Sequence, residues 1–168
     1  MTPTCRRCGA ALTVERRAVT TTSDGPLEAT ADAHVRTTCP RCDARPAAAR
    51  RALTDAVDAA LAERLPVAAG RRGAARCDGC ATPLAMPLRA TSRALTVTPG
   101  ASPPFTVTVR LPLVRCGGCG RDLVPPELGR PLRDVVHRAA GSVPGAGGPL
   151  RSLRRRRGRR SPGPPASP

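Results

Sequence analysis

Aromatic side chains are nearly absent from this chain of 168 residues. Phe105 is the one aromatic residue, and there is no Trp or Tyr. Because aromatic side chains supply much of the apolar area that small domains bury, we expect a thin core. Domains with a thin core usually need disulfides or a bound metal in addition. The lack of aromatic platforms also argues against sequence-specific binding of single strands by base stacking.

Long apolar runs and targeting signals are the next absences. No run approaches the roughly 18 apolar residues that span a bilayer, which argues against a membrane protein. The opening residues 1–5 contain no basic segment and no apolar segment that would direct export. We therefore expect a cytoplasmic location, where cysteines stay reduced and serve metals better than disulfides.

Lysine is absent, as are Ile, Asn and Gln, whereas Ala, Arg, Gly and Pro are abundant. Strong GC pressure on codons gives this composition. All 28 basic residues are Arg, and with 12 acidic residues the net charge is +16. Because codon usage alone accounts for much of the arginine, the charge by itself is weak evidence for a nucleic-acid partner.

What the chain does have is eight cysteines in four Cys-x-x-Cys pairs. The pairs are Cys5/Cys8, Cys39/Cys42, Cys77/Cys80 and Cys116/Cys119. One such pair reaches a metal from a tight turn, and a second pair about 30 residues later completes a tetrahedron. We expect two Zn²⁺ ions with four Cys ligands each. Such sites are structural and contribute on the order of 10 kcal/mol to folding.

Four pairs can be grouped as neighbouring, crossed or nested pairs. An internal repeat favours neighbouring pairs: Cys5, Cys8, Cys39 and Cys42 on one ion, and Cys77, Cys80, Cys116 and Cys119 on the other. Iron is the rival metal, as in rubredoxin-like proteins, but these place several aromatics around the iron and this chain has only Phe105. A thioredoxin-type redox role needs one Cys-x-x-Cys pair at a helix start and does not account for four.

The repeat predicts a small, metal-stabilised α+β fold made of two tandem zinc ribbons, each a β-hairpin with a C-terminal helix. Residues 1–66 form the first ribbon with its helix, 67–76 a linker and 77–141 the second ribbon with its helix. Residues 142–168 form a disordered tail rich in Arg, Pro and Gly. Glycine follows the second cysteine at Gly9 and Gly120, and Asp43 and Ala81 replace it in the other two knuckles.

Alternating apolar residues predict a strand at 105–113 and a counterpart at 29–36, preceded by strands near 12–21 and 84–97. The two later strands differ in parity relative to the closing cysteine, which predicts a bulge or shifted register in one half. Leu53, Val57, Leu61 and Leu65 predict a helix that Pro66 ends, and a second stripe from Leu128 to Ala139 predicts another, with Gly141 as C-cap and Pro131 as a kink or first-turn residue. We expect each helix to pack on its own ribbon.

Residues 111–127, from Leu111 through Cys116 and Cys119 to Glu127, resemble the closing half of YgiT/MqsA-type zinc-finger domains. These are bacterial modules with a Cys-x-x-Cys pair, a β-hairpin, a second pair and a helix, so the resemblance implies one such module per half. In antitoxins of that family the zinc module contacts a toxin protein and a separate helix-turn-helix domain binds DNA. No helix-turn-helix pattern is found here, so only the metal ligands carry over.

These observations predict a non-catalytic structural-zinc protein that acts as a protein-interaction module, with no small-molecule substrate. We also expect non-specific nucleic-acid contact through the tail. The arginines concerned are Arg151, Arg154, Arg155, Arg156, Arg157, Arg159 and Arg160. The alternatives are a transcription- or translation-associated protein whose ribbons bind nucleic acid, and a rubredoxin-like iron protein. We expect no enzyme, because neither His34 on a strand nor His137 in a helix's last turn pairs with a nucleophile in the sequence pattern.

Overall fold

The strands and helices follow the predicted order in both halves of the chain. A computed structural model describes residues 4–22, 25–71, 74–84, 89–100 and 102–142. The first half contains β1 (Thr13–Thr22), β2 (Glu28–Thr38) and α1 (Ala47–Arg64). The second contains β3 (Arg89–Val97), β4 (Phe105–Arg115), β5 (Asp122–Leu123), a 3₁₀ turn (Pro126–Leu128) and α2 (Gly129–Ala140). The prediction of a small α+β fold is confirmed.

The two hairpins join in one antiparallel sheet. Its strand order is β1-β2-β4-β3, and β5 pairs with the end of β4. Residues 28–31 of β2 pair with 107–110 of β4, so the sheet crosses from one half of the chain to the other. The alternation seen in the sequence appears as burial: Val107, Val109 and Leu111 are fully buried, whereas Thr108 and Arg110 are exposed.

The helices pack across the two halves, which differs from the expectation that each lies on its own ribbon. Helix α1 packs on β3, and α2 packs mainly on β1 and β2. The Thr21 hydroxyl of β1 donates a hydrogen bond to the carbonyl of Val135 in α2, at 3.1 Å. Nδ1 of His34 in β2 lies 3.2 Å from the carbonyl oxygen of Ala139. An amphipathic stripe specifies that a helix is covered but not which strands cover it, so the sequence could not settle this point.

One core therefore contains residues from both halves. The buried stripe of α1 consists of Leu53, Val57, Ala60 and Leu61, and that of α2 includes Leu132, Val135, Val136 and Ala139. A second, smaller apolar cluster surrounds Cys77 and Cys116 and includes Ala68, Val114 and Leu123. The predicted linker contributes to this cluster, because the Ala68 amide donates a 2.9 Å hydrogen bond to the carbonyl of Val124.

Local irregularities lie where the sequence signals them. The register between β1 and β2 shifts between Arg17 and Val19, so the predicted bulge is in the first half. Leu65 ends α1 immediately before Pro66, and Pro131 lies in the first turn of α2 rather than at a kink. Gly141 ends α2 with φ of 83°, and a Cβ there would lie 2.7 Å from the carbonyl oxygen of Val35. Glycine is thus required at this C-cap for both conformation and space.

Neither α1 nor α2, the helices in the described part of the chain, is long and apolar enough to cross a membrane. The predicted tail begins at 142, and Ser142 is buried against α2. Residues 143–168, with the remainder of the predicted tail, lie outside the described residues.

Candidate metal centres

The eight cysteines form two compact clusters. Within each cluster the four Sγ atoms lie within 4.8 Å of one another. The first cluster contains Cys5, Cys8, Cys39 and Cys42, and the second contains Cys77, Cys80, Cys116 and Cys119. The structure therefore brings together neighbouring pairs, not crossed or nested ones.

The sulfur geometry fits a tetrahedral ion. With a Zn–S bond of about 2.3 Å, the sulfurs of a tetrahedral site lie about 3.8 Å apart. In the first cluster Cys5 and Cys42 are separated by 3.7 Å and Cys8 and Cys42 by 3.8 Å. In the second, the distances from Cys77 to Cys119 and from Cys80 to Cys116 are both 3.5 Å. The donor set and the spacing both suit a four-coordinate ion held only by thiolates.

All four knuckles use one backbone pattern. The amide four residues after the leading cysteine donates to the carbonyl of that cysteine, at 2.8–2.9 Å in every knuckle. The donating residue has a left-handed backbone each time: Gly9 at 71°, Asp43 at 48°, Ala81 at 57° and Gly120 at 73°. Glycine after the second cysteine therefore marks a left-handed backbone in two knuckles. Asp43 and Ala81 adopt the same conformation at a cost of about 1–2 kcal/mol.

The sheet places the two clusters at opposite ends. Each cluster is built from the turn before one strand and the turn after its partner, β1 and β2 for the first and β3 and β4 for the second. Because β2 and β4 run antiparallel, the ends of these strands point in opposite directions. Each ion would therefore fasten one end of the common sheet.

Hydrogen bonds lower the pKa of Cys39 in the first cluster and of Cys80 and Cys116 in the second. Burial raises the pKa of Cys39, but hydrogen bonds from the Cys42 amide and the Cys8 thiol outweigh it and lower the pKa to about 6. In the second cluster the Thr82 hydroxyl, 3.1 Å from the sulfur, is the main reason that the pKa of Cys80 falls to about 6. A lower pKa favours the thiolate, which is the form that binds metal.

Three arginines contact the knuckles of the second cluster. Arg76 donates to the carbonyl of Ala81 at 3.1 Å, and Arg115 to the carbonyl of Gly120 at 3.2 Å. Arg121 lies 3.5 Å from the carboxylate of Asp78. These guanidinium groups are held beside a centre that carries a charge near −2 when four thiolates bind a divalent ion.

A buried polar cluster joins the two helices, and sequence reasoning missed it. His137 of α2 is fully buried, with Nε2 2.9 Å from Oδ1 of Asp58 in α1 and Nδ1 2.8 Å from the Ser142 hydroxyl. Arg133 donates two hydrogen bonds to the same carboxylate, at 2.8 and 2.6 Å. Burial acts to raise the pKa of Asp58, but Arg133 and His137 outweigh it and lower the pKa below its usual value.

The order of Ser142, His137 and Asp58 is that of a hydrolase relay, but the serine is fully buried. A nucleophile must reach a substrate carbonyl, and this hydroxyl has no exposed surface and lies 2.8 Å from Nδ1 of His137. Since the ionised carboxylate can only accept, Nε2 of His137 donates to Asp58. The cluster therefore acts as a polar clasp between α1 and α2.

Comparison with known proteins finds no matching family model, no matching curated protein and no matching solved structure. The resemblance to YgiT/MqsA-type domains thus rests on the residues quoted for it, and the two Cys₄ clusters agree with sites of the zinc-ribbon kind. The seven tail arginines predicted to bind nucleic acid lie outside the described residues.

Proposed function

We propose that this protein is a non-catalytic binding protein in which two Zn²⁺ ions hold the fold together. This proposal rests on the four cysteine sulfurs of each cluster, which lie within 4.8 Å of one another, as the ligands of one tetrahedral ion would. Two of the four cysteines in each cluster are buried. A site with four protein ligands has no open position for water or substrate. The ions therefore supply rigidity, and zinc suits the site better than iron because Phe105 is the only aromatic residue available to surround a redox centre.

The partner we propose first is a protein, and the surface that supports it is a cleft of about 360 Å³ between α1 and α2. Leu61, Leu65 and Leu132 line it, and Val67 lies on its wall with 43% of its surface exposed. Asp58 and Arg133, at the edge, are paired with each other, so this edge is close to neutral. A neutral apolar cleft fits an apolar side chain of a protein partner better than a charged ligand.

Val67→Asp tests this surface, with Val14→Asp as the matched control, since Val14 is 40% exposed but lies on β1. Proteins captured from the native host by the wild type and by Val14→Asp should be lost with Val67→Asp. Equal capture by both variants would show that the cleft is not the docking surface. Metal content measured on all three proteins verifies that the fold is intact.

The tail supports nucleic acid as a second partner. Its seven arginines, Arg151 to Arg160, provide the charge that binds phosphates through counterion release. Residues 1–150 still carry a net charge of +9, because they contain 21 arginines and 12 acidic residues. Gel shifts with residues 1–145 against the full chain separate a tail-only mode, in which the shorter form loses all affinity, from the alternative in which the folded part binds.

A further inference from the structure

The two metal centres are built alike but end in different side chains. We call the residues between the paired cysteines the tip of each centre. The first tip contains Arg6, Arg7, Pro40 and Arg41, and the second contains Asp78, Gly79, Gly117 and Gly118. Since the knuckles share one backbone pattern, these residues hold equivalent positions. The first tip thus presents three cations where the second presents one anion.

The cations of the first tip are uncommitted. Arg6, Arg7 and Arg41 are exposed, and in the described part of the chain none of them forms a side-chain hydrogen bond or ion pair. At the second centre, by contrast, Arg76 and Arg115 bind knuckle carbonyls. The arginines that offset the charge of the second centre are thus held by hydrogen bonds to its knuckles. Among the described residues, the three arginines of the first tip form no such bonds.

Sulfur exposure follows the same division. Cys80 and Cys119 of the second centre are exposed, whereas their counterparts Cys8 and Cys42 are only partly exposed. Sulfur and the Asp78 carboxylate, which pairs with Arg121 at 3.5 Å, thus face solvent at the second tip. At the first tip the sulfur is better covered and the three arginines are exposed, although the charge of Asp43 in the same knuckle offsets one of theirs.

We propose that the first tip binds the phosphodiester backbone of nucleic acid through Arg6, Arg7 and Arg41. Guanidinium groups match phosphate oxygens in charge and in paired donor geometry. Phosphate contacts carry no sequence information, so we expect binding that is independent of sequence. The tip lies on the turns before β1 and after β2, away from the cleft between the helices, so this proposal stands apart from the proposed protein partner.

The test measures binding of the zinc-loaded full chain to a duplex of roughly 20 base pairs, made as DNA and as RNA, over a series of salt concentrations. Arg6→Gln/Arg7→Gln/Arg41→Gln is compared with Arg89→Gln/Arg110→Gln/Arg138→Gln. The control arginines are also exposed and without side-chain partners in the described residues. Each lost phosphate contact lowers the slope of log affinity against log salt by about 0.9.

The tip variant should lose about 2.7 from the slope on at least one duplex, and the control variant less than about 1. An equal loss in both variants would show a general charge effect and overturn the proposal. So would an unchanged slope in the tip variant, or failure of the wild type to bind either duplex. A further variant, with Arg154 to Arg157 changed to Gln, measures the contribution of the tail. When the three tip substitutions are added to this variant, the slope must fall further.

A second set of substitutions keeps the proposal testable if the tip variant fails to fold. Asp78→Arg/Gly117→Arg places cations on the second tip, and a Cβ at Gly117 meets no atom within 4 Å. The slope should then rise by about 2, since one new guanidinium group holds the position equivalent to Arg6 and the other, at the position equivalent to Pro40, lies next to the position of Arg41. An unchanged slope in this variant, with two metal ions retained, would contradict the proposal.

Discussion

Asp58 of α1 accepts a hydrogen bond from the fully buried His137 of α2, with 2.9 Å between Oδ1 and Nε2. The bond connects the helix of the first half to the helix of the second. Arg133 of α2 donates to both oxygens of the same carboxylate, so the cluster links the two halves of the chain on the helical side of the sheet. The two halves are thus joined by β2 against β4, by the helices that pack across them and by this clasp.

Asp58→Ala should destabilise the protein by about 1–3 kcal/mol, because the buried Nε2 of His137 loses its acceptor. Asp55→Ala is the control: Asp55 is exposed on the same helix, and its loss should change stability by less than about 0.5 kcal/mol. Denaturant unfolding of the zinc-loaded proteins measures both. A double-mutant cycle with His137→Ala should give a coupling above about 0.5 kcal/mol, and additive effects would contradict the clasp.

Residue 81 offers a test of the knuckle backbone. Ala81→Gly should raise stability by about 0.5–1 kcal/mol, since the left-handed φ of 57° strains alanine and not glycine. Gly120→Ala should have the opposite sign, because its Cβ would meet no atom and only the backbone conformation is penalised. Thermal unfolding with two bound ions is the measurement. Changes of the same sign at both positions would refute the shared pattern.

Much of this site could be predicted from the sequence because cysteine spacing is a local signal. Alternation in β4 and the Leu53 to Leu65 stripe likewise fixed element types, since burial in one strand or helix repeats along the chain. The pairing of β2 with β4 could not be predicted, because the alternating pattern of a strand does not indicate which other strand it pairs with. In the sequence His137 is only a histidine in the last turn of a helix. Its contacts with Asp58 and Ser142 arise from the fold.

The second centre should lose its metal first. Cys80 and Cys119 are exposed, so a chelator can approach these sulfurs more readily than the partly covered Cys8 and Cys42. Release into a coloured chelator should therefore show two phases of one ion each. Cys80→Ser should remove the fast phase, and Cys8→Ser should leave it in place. A single phase, or loss of the slow phase in Cys80→Ser, would contradict this order.

Val57→Ala tests the shared core. Val57 is fully buried in α1, and its truncation should cost about 1–3 kcal/mol. Because α1 packs on β3, hydrogen exchange should quicken in β3 and β4 of the other half as well as in α1. One unfolding transition, shifted as a whole, is expected. Two separate transitions, with β3 and β4 unaffected, would show that the halves fold independently.

We expect two thiolate-bound ions, one at each end of the common sheet, to be required for folding, because the shared core contains a single aromatic side chain, Phe105. Metal analysis and native mass spectrometry on the reduced full chain, before and after chelation, test it most directly, with thermal unfolding of the same samples. We expect two zinc ions per chain, and we expect the cooperative transition to disappear when both are removed. A chain that contains no metal when purified under reducing conditions, yet unfolds cooperatively in the presence of the chelator, would contradict the account.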